Sequence, residues 1–211
     1  MKKILLFSLA LSLCTLSLFA SNSWFGIQAF GAQKDETTTY TILGIDITED
    51  STATLGGLML SGTLYPREDS AVGIGYQFGV SKLLAATNGS TEEDVEDYPL
   101  TYRGAVTGQF GIGLSDMMSL ELGAGLLYER LTKANNSDSD EILVEFNTLS
   151  VLGNVNVLVN LSDSLSLVGG VNLAIPLTTQ GKITGGNLSY DTEFAVKGYT
   201  LLGQIGVALT F

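Results

Sequence analysis

Few residues in this chain have the types and spacing for chemistry. The chain contains no histidine and one cysteine, Cys14. Acid–base work would fall to carboxylates, and no serine stands in a nucleophile elbow or at a spacing that pairs it with a base. The sequence therefore predicts no enzyme, no catalytic residue and no cofactor. Two acidic runs, Glu92-Glu93-Asp94-Val95-Glu96-Asp97 and Asp138-Ser139-Asp140-Glu141, offer hard oxygen donors. Neither follows EF-hand spacing, so they read as solvated, mutually repelling loops rather than as a metal site. Glu92, Glu93, Asp94, Glu96 and Asp97 form the candidate recognition surface for an extracellular partner whose identity the sequence does not give. The glycine clusters Gly73-Ile74-Gly75 and Gly108-Gln109-Phe110-Gly111-Ile112-Gly113 fall inside strand patterns, not between a strand and a helix. A dinucleotide fingerprint is thereby excluded.

Charge and leader bound the rest. Lys2 and Lys3, an apolar stretch from Ile4 to Phe19, and Ala20 before Ser21 predict a secretory signal peptide over residues 1–20 and a barrel domain over 21–211. The apolar run is shorter than the roughly 20 residues of a spanning helix and lacks a basic stop-transfer flank. Leu13 is too bulky for the small-residue site before a lipidated Cys14. With Cys14 removed, neither disulfides nor thiolate metal sites remain. The whole chain carries a net charge of −12, which becomes −14 once Lys2 and Lys3 leave. Nucleic acid is excluded as a partner on that ground.

Beyond Ala20 no apolar run approaches a spanning helix, so any membrane span must be built of strands. Alternation locates them, because successive strand side chains point to opposite faces. Val72, Ile74, Tyr76, Phe78 and Val80 share one face, and Gly73, Gly75, Gln77, Gly79 and Ser81 the other. The same split recurs over Leu149 to Leu161 and over Tyr199 to Phe211. Eight segments result: Trp24 to Ala32, Ala53 to Tyr65, Ala71 to Lys82, Thr101 to Leu114, Ser119 to Leu131, Thr148 to Leu161, Leu165 to Leu177, and Phe194 to Phe211. Each is long enough to cross a bilayer as a tilted strand, which takes about 9 to 11 residues. Pro66 to Ser70, Ser115 to Met118 and Ser162 to Ser164 are short turns. Residues 33–52, 83–100, 132–147 and 178–193 are long loops. That alternation predicts an all-β, eight-stranded antiparallel up-and-down transmembrane β-barrel, with periplasmic ends and extracellular loops.

Of the 22 acids, only Glu121 and Glu129 fall within these segments, both on the polar face. A lipid-facing charge at mid-bilayer is costly, so this placement agrees with a barrel. Tyr102, Tyr128 and Tyr199 fall on the apolar face near one end of their strands, as an aromatic girdle would. A soluble lipocalin-like periplasmic barrel would carry Lys and Glu outside, whereas the polar face here is Gly, Ser, Thr, Asn and Gln.

Ile205, Val207, Leu209 and the terminal Phe211 alternate along the last segment, and this strand is similar to the one the outer-membrane barrel assembly machinery recognises. With the leader and the eight segments, the chain resembles the small barrels of the OmpA, OmpX and OmpW type. The resemblance implies transit of the periplasm, insertion by that machinery and residence among outer-membrane lipids. It implies no single activity.

An eight-stranded lumen is just wide enough for side chains to fill it. Its inventory includes Gln77, Gln109, Asn154, Asn156, Asn172 and Gln204 with the charged Arg103, Glu121 and Glu129. Across the turn at Ser115 to Met118, Arg103 and Glu129 fall opposite each other, which predicts an internal ion pair. Met59, Leu127, Leu152 and Leu158, with Val168 and Pro176, are a candidate apolar constriction. Pro176 lacks a ladder donor and marks a bulge or strand end, a lateral weak point. The expected function is a structural or surface-recognition barrel with acidic loops. The alternative is a narrow, OmpW-like channel for small or hydrophobic solutes.

Overall fold

The structure is a computed structural model and describes residues 23–42, 45–67, 70–92, 95, 98–137, 140–185 and 188–211. The predicted leader lies outside the described residues, as do Glu93, Asp94, Glu96 and Asp97 of the acidic run. Every long element is a strand: β1 (Trp24–Ile42), β2 (Ile45–Leu64), β3 (Val72–Asn88), β5 (Thr101–Ser115), β6 (Met118–Ser137), β7 (Asp140–Ser162), β8 (Leu165–Gly185) and β9 (Leu188–Thr210). A two-residue strand, β4 (Thr91–Glu92), pairs only with the end of β3. Each long strand pairs antiparallel with its neighbours in sequence, and β1 pairs with β9 from Trp24↔Thr210 onward. The β1–β9 pairing closes the ring, so every long strand has a paired neighbour on both sides along most of its length, as hydrocarbon requires.

The alternation that defined the strands sorts their faces. Ile205 (68% exposed), Val72 (62%) and Ile74 (59%) stand outward, together with Val106, Val171 and Leu173. An apolar belt of this extent is a lipid-facing surface. Tyr102, Tyr128 and Tyr199 stand outward at one margin of the belt and Phe211 at the other. Tyr76 keeps its outward parity yet is buried, and the hydroxyl end of its ring occupies the space a side chain at Gly62 of β2 would need.

Three of the predicted long loops are largely strand. Pairing of β1 with β2 runs on to Ile42↔Ile45, of β6 with β7 to Ser137↔Asp140, and of β8 with β9 to Gly185↔Leu188. The described residues of 33–52, 132–147 and 178–193 are thus the paired arms of hairpins that rise beyond the belt. Above the belt both faces of a hairpin meet polar surroundings, so the apolar alternation ends while the hydrogen-bond ladder continues. The barrel therefore has a turn end, with the short connections, Ser23 and Phe211, and a hairpin end.

Inside, side chains fill the lumen in tiers. Trp24, Leu158, Val168 and Ala208 cluster at the turn end. Above them lie the amides: Asn172 donates to Gln77 (3.0 Å) and Gln204 (3.3 Å), Gln204 to Asn156 (2.8 Å), and Gln109 to Asn154 (3.2 Å). Inward glycines make room for this tier; a Cβ at Gly123 would fall on the Asn154 and Gln109 side chains. Higher still, Ala105, Leu127, Leu152 and Ala174 form one apolar cluster, and Phe30, Leu55, Met59, Leu83, Tyr98 and Leu202 another.

Candidate functional site

Glu121 projects from β6 into the turn end, where it is 3% exposed. Its carboxylate accepts hydrogen bonds from Trp24 Nε1 (2.9 Å), Tyr65 OH (2.7 Å) and Thr63 Oγ1 (3.0 Å). All three donors are neutral, so the charge is held by hydrogen bonds rather than by an ion pair. Tyr65, just beyond the end of β2, makes the shortest of the three bonds. Ser23 joins this plug: its hydroxyl accepts from the Tyr65 N–H and its carbonyl from the Phe211 N–H.

Toward the hairpin end, Arg103 of β5 and Glu129 of β6 are register partners, with Nη2 3.6 Å from Oε1. The Arg103 guanidinium also lies 5.1 Å from the Phe30 ring centroid, a cation–π arrangement. Two further charges, Lys34 and Glu36, complete the group. Lys34 of β1 is 3.0 Å from Glu36 and 4.0 Å from Glu129. The sequence reading missed Lys34 and Glu36 because it ended the first strand at Ala32. Continuing the parity of Gln28, Phe30 and Ala32 would have turned both inward.

The candidate constriction does not form one ring. Met59 belongs to the Phe30–Leu202 cluster, Leu127 and Leu152 to the Ala105–Ala174 cluster, and Leu158 to the Trp24 plug. Strand tilt and stagger carry residues with like parity to different heights. These side chains act as successive plugs that leave the lumen below the hairpin end filled.

Above the plugs lies a vestibule of about 340 Å³ that opens at the hairpin end. Leu55, Leu83, Tyr98, Phe146, Phe194 and Val196 give it apolar walls, and Lys34, Glu36, Glu49 and Glu129 line it with charge. Tyr98 comes from the connection between β4 and β5, where its N–H donates to the Val95 carbonyl (3.3 Å). Its ring packs inward on the Phe30 cluster, with Val95 beside it. Val95, within the acidic run, and Tyr98, just after it, are thus two apolar anchors packed on the Phe30 cluster. Glu92, in β4, is exposed.

The wall is interrupted beside this vestibule. Pairing between β8 and β9 stops at Ala174↔Thr200 and resumes at Thr179↔Phe194. Residues 175–178 and 195–199 have no ladder partners across that seam, although β8 stays paired with β7 and β9 with β1. Pro176 sits in the break, where β8 also bulges against β7, and it has no N–H to donate. Gly198 lies opposite with φ +144°, a conformation that disfavours side chains. Thr179, Phe194 and Val196 belong to both the seam and the vestibule wall.

Solved structures similar to this chain include outer-membrane proteins. The crystal structure of the outer membrane protein OprG from Pseudomonas aeruginosa matches with a TM-score of 0.63 at 14% identity, over 91% of this chain and 97% of that one. Outer membrane protein AlkL, solved by solid-state NMR in lipid bilayers, matches with a TM-score of 0.55 at 14% identity, over 92% of each chain. Neisserial surface protein A matches with a TM-score of 0.52 at 14% identity, over 89% of this chain and 97% of that one. No protein-family model matches the chain, and no curated protein matches it. The chain has the fold of the small eight-stranded outer-membrane β-barrels, as the resemblance to the OmpA, OmpX and OmpW type implied.

Proposed function

We propose that the barrel resides in an outer membrane with its hairpins outside and its turns and chain ends in the periplasm. There it takes small, largely apolar solutes into the vestibule and releases them sideways through the β8–β9 break. No catalytic step is involved. The observation that carries this reading is a juxtaposition: an apolar vestibule meets an unpaired stretch of wall, while the lumen beneath is filled by Met59, Leu127 and Leu152. A solute entering the mouth has no wide path downward, and Ile175, Leu177 and Tyr199 give the outer lips of the break an apolar, lipid-facing surface.

The test is uptake of a hydrophobic, membrane-fluorescent dye such as N-phenylnaphthylamine by intact Gram-negative cells producing the barrel. The initial rate should exceed that of cells without it several-fold. Thr179→Trp, which fills the wall where vestibule and seam meet, should return the rate to background. Uptake by that variant at the wild-type rate would defeat the proposal.

A second reading keeps the hairpins as a recognition surface for an extracellular partner. It is favoured by the continuous ladders that hold Asp35, Glu49 and Asp50 on rigid strands above the belt. Replacing the β1–β2 hairpin tip would abolish partner binding on this reading and leave dye uptake unchanged.

A further inference from the structure

The amide tier of the lumen carries more hydrogen-bonding capacity than its side chains satisfy among themselves. Gln28 of β1, Ser61 of β2 and Asn172 of β8 are 0%, 2% and 1% exposed. Both polar atoms of the Gln28 side chain, the Ser61 hydroxyl and Asn172 Oδ1 have no hydrogen-bond partner in the protein. A buried polar atom left unmatched is costly, and native interiors match nearly all of them.

The strand register gathers these atoms into one connected group. Ser61 stands opposite Gln77 across the β2–β3 ladder, and Gln77 accepts from Asn172 Nδ2 at 3.0 Å. Gln28 stands opposite Met59, two residues from Ser61 on the same inward face, so Gln28 and Ser61 are diagonal neighbours within side-chain reach. On its other flank Gln28 faces Gly206, two residues from Gln204, which also accepts from Asn172 at 3.3 Å. Those bonds fix which atoms are left over. Asn172 Nδ2 donates to two carbonyl oxygens, so turning its amide over would lose both, and Oδ1 remains an acceptor. Gln28 adds one donor group and one acceptor, and the Ser61 hydroxyl can act as either.

Such a mixed set calls for a ligand that both donates and accepts, and side chains this deeply buried leave room for none larger than water. A buried water makes about three hydrogen bonds. Two molecules bonded to each other therefore answer the four atoms. We propose that the amide tier is a binding site for ordered water, which bridges Gln28, Ser61 and Asn172 within the lumen. This site lies apart from the vestibule and does not depend on what the vestibule admits.

The test is magnetic resonance on the barrel refolded in deuterated zwitterionic micelles. The Gln28 Nε2 protons should show cross-peaks to the water signal with opposite signs in laboratory-frame and rotating-frame spectra, the mark of bound water rather than of proton exchange at the amide. Ser61→Ala, which removes the hydroxyl of the group, should leave those cross-peaks weaker but present. Gln28→Met, which keeps the length and removes both polar atoms, should shift the urea midpoint downward, because the water then loses partners. No water cross-peak at Gln28 in the wild-type barrel would overturn the proposal. Complete loss of the cross-peaks in Ser61→Ala would overturn it too, by tracing them to the hydroxyl proton. An upward shift of the midpoint in Gln28→Met would do the same, by showing that the amide is buried dry.

Discussion

Trp24 and Glu121, 97 positions apart in sequence, meet inside the turn end, where the indole N–H donates to the carboxylate at 2.9 Å. Tyr65 and Thr63 complete the set of donors, so one acid from β6 fastens the beginning of β1 and the end of β2. Removing it would leave three donors buried without their acceptor. Glu121→Ala should therefore cost about 2 to 4 kcal/mol, and Glu121→Gln, which keeps one carbonyl oxygen, about half as much. Trp24 is the only tryptophan, so its emission reports on this plug directly. Urea unfolding in micelles followed by that emission checks the order, and Glu121→Ala should also shift the folded-state spectrum to the red.

The Arg103–Glu129 pair behaves differently because both partners carry charge. Arg103→Ala strands a buried carboxylate with only Lys34, at 4.0 Å, to answer it. The expected loss is about 3 to 5 kcal/mol. Changing both partners, Arg103→Met with Glu129→Leu, should recover most of that loss, because no charge is then left unpaired. Single-channel current should not rise in Arg103→Ala, since Leu127 and Leu152 still fill the lumen at 0% exposure. A large open conductance in that variant would make the pair a gate.

These two sites also mark what the sequence could and could not disclose. Arg103 and Glu129 face each other across one hairpin, and the turn position fixes which residues oppose. Glu121 has its partners across the lumen, on strands whose height relative to β6 depends on the stagger of the whole ring. Strand positions within the belt were legible because lipid on one side and a packed lumen on the other enforce alternation. Beyond the belt that contrast vanishes, so the hairpins read as loops and Lys34 and Glu36 went unrecognised. The inward turn of Tyr98 left no periodic signal at all.

Gly198 and Gly203 lie five positions apart on β9 and should respond oppositely to the same substitution. At Gly198, φ is +144° and a Cβ would fall on the Asp35 carbonyl oxygen of β1. Gly198→Val should cost at least about 2 kcal/mol and slow refolding. At Gly203 a Cβ meets nothing within 4 Å and points outward. Gly203→Val should be neutral or slightly stabilising in lipid. Heat-modifiable migration on a gel, measured against urea concentration for both variants, separates them.

A charge placed on the belt distinguishes a lipid-facing surface from a water-facing one. Val171 is 49% exposed, near the middle of the β8 stretch that runs from Leu165 to Leu177 across the belt. A lysine on a water-exposed strand usually changes stability by less than about 0.5 kcal/mol. At the midplane of a bilayer it costs about 2 to 4 kcal/mol, because the ammonium must be drawn out of water or thin the membrane around it. Val171→Lys should show the larger value when the barrel is refolded into lipid vesicles, measured by urea titration. Thr37→Lys, on β1 opposite Lys197 and beyond the Asp35–Tyr199 pair at the belt's margin, should change stability little under the same conditions. A small, equal effect at both positions would mean that the apolar face does not meet hydrocarbon.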